Sequence, residues 1–188
     1  PEDWQLIGGY LIGPGADLTN ADLTNLDLRN ANLTGVRSGG IMGTQFALPP
    51  GWLIRNGYLI GPGADLAGAD LTDVDIIWPY NGMLEMTNVN LTGANLTNTK
   101  LDLDPADFTG VRSGGITGTP SRLPSGWQLF AGYLLGPGAD LSGEDLSAVD
   151  LSSANLTGVR SGGITEPPSA LPEDWQLIGG YLIGPGAD

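Results

Sequence analysis

The sequence predicts an all-β chain that winds into successive coils, and three observations predict it. A five-residue period runs through its regular segments. Longer motifs return at matched spacings, and the opening PEDWQLIGGYLIGPGAD is spelled again by residues 172–188. Such repeats decide the architecture before local propensity does, because each repeat buries its apolar face only against its neighbours.

The fine period is plainest at 16–35, ADLTN ADLTN LDLRN ANLTG, and at 139–158, ADLSG EDLSA VDLSS ANLTG. Apolar residues mostly fill positions 1 and 3, Asp or Asn fills position 2, and Thr or Ser usually follows the Leu. Positions 1 and 3 share one face of an extended chain, whereas a helix would scatter the leucines around its circumference. A continuous strand would turn every second block outward, since five is odd. The chain must therefore turn once per block. This makes Leu18, Leu23, Leu28 and Leu33 an inward ladder, with Leu141, Leu146, Leu151 and Leu156 as its counterpart in a later coil.

The coarse period divides the chain into units 1–48, 49–123 and 124–171, with 172–188 beginning the next 171-residue period of a single continuous array. Each unit opens on Trp4, Trp52, Trp127 or Trp175, and the first three close on GVRSGGI, with Arg37, Arg112 and Arg160 always 15 residues before the next Trp. The middle unit is the long one. A whole extra coil, one side lengthened by a single block and the pair Asp104–Pro105 account for its excess over the other two while preserving the register. The 171-residue period then holds seven coils and rises about 34 Å at the ~4.8 Å strand spacing.

The A(D/N)LXX blocks resemble those of pentapeptide-repeat proteins. The resemblance implies a right-handed quadrilateral β-solenoid with four blocks per coil. The LPxGW and GVRSGGI segments depart from the five-residue pattern and are expected to form wider, elaborated coils between the regular ones.

Composition narrows the function. There is no His, no Cys and one Lys among 188 residues, so imidazole and thiolate chemistry are absent. Paired carboxylates occur throughout and none is singled out, so an enzyme is not expected. The net charge of −14 opposes binding to nucleic acid through phosphate neutralisation. No apolar stretch is long enough to span a bilayer. The opening at Pro1, without Met or signal peptide, reads as a processed piece of a longer protein.

Several features have two readings. Asp17, Asp22, Asp27, Asp140, Asp145 and Asp150 form an outward ladder that could hold Ca²⁺; the plainer reading is a solvated acidic face. Asn32 and Asn155 could form an amide ladder. The three arginines suit either an anion-binding nest or, preferably, a structural pairing with Asp or Trp. The recurrent Trp and Tyr residues suit core packing better than a sugar platform. Asp75–Thr87 is the one non-repetitive stretch, and Trp78, Tyr80, Met83, Leu84 and Met86 concentrate apolar area there, as a lateral contact or as a loop folded over the side. Asn32, Asn90, Asn95 and Asn155 match the glycosylation pattern, which ANLTG spells in any case.

The expected function is structural: a segment of a secreted or cell-surface β-solenoid fibre, stacked end to end on itself and in contact laterally through Asp75–Thr87, with no cofactor. The alternative, implied by the resemblance, is an acidic DNA-mimicking protein acting on a type II topoisomerase. Its charge, about one per 2.7 Å of rod, is of the order of duplex DNA's one per ~1.7 Å.

Overall fold

The computed structural model describes residues 3–76, 85–101 and 107–188. Among them there is no helix. Eight three-residue strands pair as four antiparallel hairpins: β1 (Gln5–Ile7) with β2 (Tyr10–Ile12), β3 (Leu53–Arg55) with β4 (Tyr58–Ile60), β5 (Gln128–Phe130) with β6 (Tyr133–Leu135), and β7 (Gln176–Ile178) with β8 (Tyr181–Ile183). Between the hairpins run short turns, stitched coil to coil by isolated parallel bridges. An all-strand chain stacked in this way fits the β-solenoid class.

The turn demanded by the five-residue period is a single hydrogen bond. The N–H at position 1 of each block donates to the carbonyl of the preceding central Leu, as in Ala21 to Leu18, Leu26 to Leu23, Ala31 to Leu28 and Val36 to Leu33, at 2.9–3.0 Å. Position 5 is the third residue of that turn and often takes the left-handed conformation, φ +59° at Asn20 and Asn25 and +72° at Gly35. Asn and Gly tolerate this best. Position 2 has a local task as well. The carboxylates of Asp17, Asp22, Asp27, Asp140, Asp145 and Asp150 each accept the N–H two residues on, at 2.9–3.1 Å.

The inward ladder is closed. Leu18, Leu23, Leu28, Leu33, Leu141, Leu146, Leu151 and Leu156 are all buried, mostly with an Ala or Val of position 1 beside them. Burying each leucine contributes roughly 1.5–3 kcal/mol. No buried side-chain nitrogen or oxygen among the described residues lacks a partner.

One column of bridges marks the coils: Asp17, Arg37, Asp65, Asn90, Arg112, Asp140 and Arg160. Asp188 completes it by donating its N–H to the Val159 carbonyl. Steps along this column are unequal. The shortest run from Asp17 to Arg37 and from Asp140 to Arg160, and the longest run from Arg37 to Asp65, from Arg112 to Asp140 and from Arg160 to Asp188. Each step is one coil, so seven coils separate Asp17 from Asp188. Two of them, Asp65 to Asn90 and Asn90 to Arg112, belong to the middle unit.

Two expectations are corrected. GVRSGGI does not leave the five-residue pattern. Arg37, Met42 and Ala47 bridge Asp17, Asp22 and Asp27, each four blocks on, so VRSGG and IMGTQ are blocks with Ser38 and Gly43 in the central position. What widens these coils is the hairpin that follows. Met86 is the second correction: it is fully buried and offers no lateral contact. Residues 85–88, EMTN, fall in step with the five-residue pattern. Glu85 bridges Asp107, and Met86 takes the inward place of a leucine. Trp78, Tyr80, Met83, Leu84 and the pair Asp104–Pro105 lie outside the described residues.

Replacing the fully buried Leu23 by Ala leaves a cavity between coils and is expected to cost about 2–5 kcal/mol in urea unfolding. Ala131 stands at φ +48° in a hairpin turn where the other hairpins have Gly8, Asn56 and Gly179. Ala131→Asn is expected to raise stability by about 1 kcal/mol, read as a higher urea midpoint at unchanged slope.

Candidate functional site

The feature that recurs with most detail is the joint between each VRSGGI segment and the hairpin one coil further on. The hairpin is set up locally. Its turns are Gly8-Gly9, Asn56-Gly57, Ala131-Gly132 and Gly179-Gly180, all with positive φ at both positions. That is the two-residue geometry whose twist suits paired strands. Before it, the segment leading to the Trp folds as a β-turn, with Trp52, Trp127 and Trp175 donating N–H to the carbonyls of Pro49, Pro124 and Pro172. After it, GPGA makes another, from Ala16, Ala64, Ala139 and Ala187 back to Gly13, Gly61, Gly136 and Gly184. Pro second and a left-handed Gly third suit such a turn.

Each tryptophan folds back over its own hairpin exit. A Cβ at Gly13, Gly61, Gly136 or Gly184 would run into the ring of Trp4, Trp52, Trp127 or Trp175 respectively. Trp52 is buried, and Trp127 meets Phe108 at 5.3 Å between ring centroids with planes tilted by 50°. The rings are therefore folded over individual hairpins rather than spread as a sugar platform.

The seat beneath the hairpin is VRSGGI of the coil below. Ser38, Ser113 and Ser161 accept through Oγ the N–H of Leu59, Leu134 and Leu182, at 2.9, 2.9 and 3.0 Å. The N–H groups of Ile41, Ile116 and Ile164 donate to the turn carbonyls of Gly57, Gly132 and Gly180 at 3.0–3.2 Å. These N–H groups hold a hairpin rather than an anion. Gly39, Gly114 and Gly162 lie under the rings of Tyr58, Tyr133 and Tyr181, so a side chain there would press on the ring at about contact distance or closer. The arginines pair with the Asp that follows each hairpin: Arg37 with Asp65 at 3.4 Å, Arg112 with Asp140 at 3.9 Å and Arg160 with Asp188 at 3.9 Å. The arginines of these pairs are solvent-exposed, so the pairs contribute little energy by themselves.

The outward charges are not stacked acid on acid. In the first column Arg37, Arg112 and Arg160 stand between acids or beside an amide. In the others Asp22 faces Met42, Asp27 faces Ala47 and Asp75 faces Lys100. Only Asp145 with Glu166 and Glu85 with Asp107 bring two acids together among the described residues. No group of three metal-ligating side chains forms among those residues. Asn32 and Asn155 do not form a ladder; each accepts an N–H of its own block, from Thr34 and Thr157. Amide-to-acid steps occur instead in the middle unit, where Asn90 donates to Asp65 and Asn95 to Asp70.

Hydrogen bonds hold several of these carboxylates ionised. Thr side chains first, then the Thr backbone N–H, draw Asp17, Asp22 and Asp70 below the ordinary value. The Arg29 guanidinium hydrogen bond draws Asp27 down to about 2. Glu144 goes the other way. It stands at position 1, where Ala21 and Ala69 stand elsewhere, and burial beside Tyr133 raises it.

A family model of pentapeptide repeats matches, in eight copies, residues 14–37 and 138–160. The chain carries pentapeptide repeats over both segments. No curated protein and no solved structure matches it. The repeat character is that of a structural or binding protein. Among the described residues no helix is long and apolar enough to cross a membrane.

Because its pKa is raised in the fold, the Glu144 contribution to stability is full below the unfolded value near 4.5 and is lost as pH rises through the raised one. Glu144→Gln is thus expected to stabilise the protein at pH 7, with the gain shrinking towards pH 4. Denaturant titrations at the two pH values check this.

Proposed function

We propose that this chain is a rod-forming structural element, a segment of a secreted or cell-surface fibre whose coils stack end to end. Its coils are right-handed and four-sided. The observation that carries this reading is the completeness of the last step. Asp188 returns to Arg160 and Val159 as Asp65 does to Arg37 and Val36. After one full period of seven coils, from Asp17 to Asp188, the pattern therefore stands where it began, both in sequence and in bridging register. A stack with that property propagates without accumulating mismatch.

Further support comes from how stacking covers the hairpin side chains. On the first hairpin Leu11 is 65% exposed, whereas the seated Leu59, Leu134 and Leu182 are 0%, 0% and 2%. On the last hairpin Ile183 is 50% exposed, against 0% for Ile12, Ile60 and Leu135, which have a further coil over them. Inside the chain, each hairpin's apolar surface is thus covered by the coils that adjoin it. Of the segment Asp75–Thr87, we assign lateral contacts between rods to Trp78, Tyr80, Met83 and Leu84 alone, since Met86 is buried. Arginines standing between the acids of one column make the outer surface a poor copy of a phosphate ladder, which favours the fibre over the DNA mimic.

Electron microscopy of concentrated protein, with X-ray diffraction from oriented material, tests the reading. Long rods are expected, with a meridional spacing of ~4.8 Å and an axial period of about 34 Å. Short discrete particles at every concentration, together with inhibition of supercoiling by a type II topoisomerase, would overturn it.

A further inference from the structure

Two internal coil-to-coil steps, Arg37 to Asp65 and Arg112 to Asp140, are fastened differently on their two sides. The first column passes through both. Asp65 N–H reaches the Val36 carbonyl and Asp140 N–H that of Val111, each at 3.0 Å. A second backbone line runs beside it through the turn glycines. Gly35 N–H donates to Gly63 and Gly63 N–H to Thr87, both at 2.7 Å. Gly110 N–H donates to Gly138 and Gly138 N–H to Thr157, at 2.6 and 2.8 Å. The other columns break at the same two steps. Met42 bridges Asp22 below and Asp70 bridges Asn95 above, but no bridge joins Met42 to Asp70, Ala47 to Asp75 or Thr117 to Asp145. Within the middle unit these columns are continuous, from Asp70 through Asn95 to Thr117 and from Asp75 through Lys100 to Arg122.

A hairpin occupies each break. Hairpins β3–β4 and β5–β6 are two-stranded sheets of their own, with no further strand partner among the described residues. Each carries a tyrosine that spans from coil to coil. The Tyr58 ring lies against Gly39 below, and its hydroxyl accepts Asp70 N–H above at 3.0 Å. The Tyr133 ring lies against Gly114, and its hydroxyl donates to the Asp145 carbonyl at 2.7 Å. Arg55 Nε adds a bond to the Asp75 carbonyl at 3.2 Å in the first step. Around these contacts the packing is apolar, with Leu59 and Leu134 fully buried. One side of each step is thus joined backbone to backbone, and the other by side-chain ends and packing.

Hydrogen bonds fix direction as well as distance, whereas apolar packing is non-directional. A step joined in this way yields on the side without the ladder, where opening breaks the fewest backbone bonds. We infer that the solenoid carries two hinges, at the steps Arg37–Asp65 and Arg112–Asp140, which swing about the first column and open along the second and third. Tyr58 and Tyr133 are the struts that limit the swing. Bending is concentrated at these steps, as in domain hinges, rather than spread evenly along the coils. Both hinges lie inside the chain and do not depend on the fibre reading, since a short particle has them as much as a long rod.

Paired spin labels test this, and a chain without cysteine can be labelled at chosen sites alone. Asp22→Cys with Thr117→Cys puts labels on the second column four steps apart, across the first hinge only. Asp17→Cys with Arg112→Cys spans the same four steps on the first column. All four positions are exposed. Double electron–electron resonance on the full chain is expected to give a distance distribution roughly twofold broader, or more, for the second-column pair. Tyr58→Phe is expected to broaden that pair further and to leave the first-column pair unchanged. Amide exchange checks the same hinge without labels. Asp70 N–H is expected to exchange about tenfold faster than Asp65 N–H in the same coil, and Tyr58→Phe is expected to widen the difference. Equal widths for the two label pairs would overturn the hinge, as would Tyr58→Phe broadening both pairs alike. Equal protection of Asp65 and Asp70 would overturn it too.

Discussion

The constraint on which the rest of the structure depends is that every coil must bring its backbone back to the same donors and acceptors. Arg37 N–H reaches the Ala16 carbonyl, Asp65 N–H reaches Val36, and Asn90 N–H reaches Ala64, at 2.9–3.0 Å, whatever the length of the coil between them. The coils ending at Arg37, Asp65, Asn90 and Arg112 all differ in length, yet they satisfy one rule because the surplus is carried away from the bridging positions. Buried backbone groups left unpaired would cost more than a typical hydrogen bond contributes. The turn chemistry follows from the same rule. A chain that reverses within two residues, at Asn, Gly or Asp in the left-handed conformation, can re-aim the next block inward and still present its N–H to the neighbouring coil.

The same geometry decides how a chain of net charge −14 can be stacked at all. Position 2 points outward at the bridges, so like charges one coil apart would oppose each other along the whole rod. Two devices prevent this. Arginine or lysine enters the columns at Arg37, Lys100, Arg112, Arg122 and Arg160, and neutral residues enter at Met42, Ala47, Asn90, Asn95 and Thr117. Many of the carboxylates that remain are held by hydrogen bonds to their own turns, which stabilises the ionised form without a partner coil. Acidity is thus in large part a product of turn formation.

Much of the fold is legible in the sequence because a five-residue period has one sensible solution when both apolar positions must face inward. The leucine ladder, the turn per block and the number of coils all follow from it, including the two coils of the middle unit. The hairpins are harder to see, although their signal is present. Asn56-Gly57 between LIR and YLI is a strong two-residue hairpin cue, but in Gly8-Gly9 and Ala131-Gly132 it is diluted among other glycines and absorbed into the repeat. GVRSGGI and the IMGTQ block that overlaps it read as a departure because Ser38 and Gly43 replace leucine at the centre of their blocks. That replacement makes sense only once Leu59 is seen descending from the neighbouring coil. Met86 misleads for a related reason: LEMTN carries the block pattern, but it sits in an irregular stretch that hides the count of five.

Those central serines and glycines also explain why the chain is not a uniform pentapeptide rod. Identical five-residue blocks are degenerate. Sliding one coil by a single block around its neighbour keeps every leucine inward and every outward residue outward, and it costs almost nothing in burial. Strands lacking a distinguishing pattern are prone to such slippage. The VRSGGI seat removes the degeneracy, because Ser38 Oγ has one acceptor role to fill and Leu59 N–H, behind a turn glycine that fits against Gly40, fills it. A regular block placed over that seat would leave Ser38, Ser113 or Ser161 facing an apolar side chain with its hydrogen bond unmade. Alternating a degenerate coil with a locked one therefore sets the register at every second coil or so. In a rod built from many near-identical pieces, that is a specificity device of the kind that excludes competing alignments as well as favouring the right one.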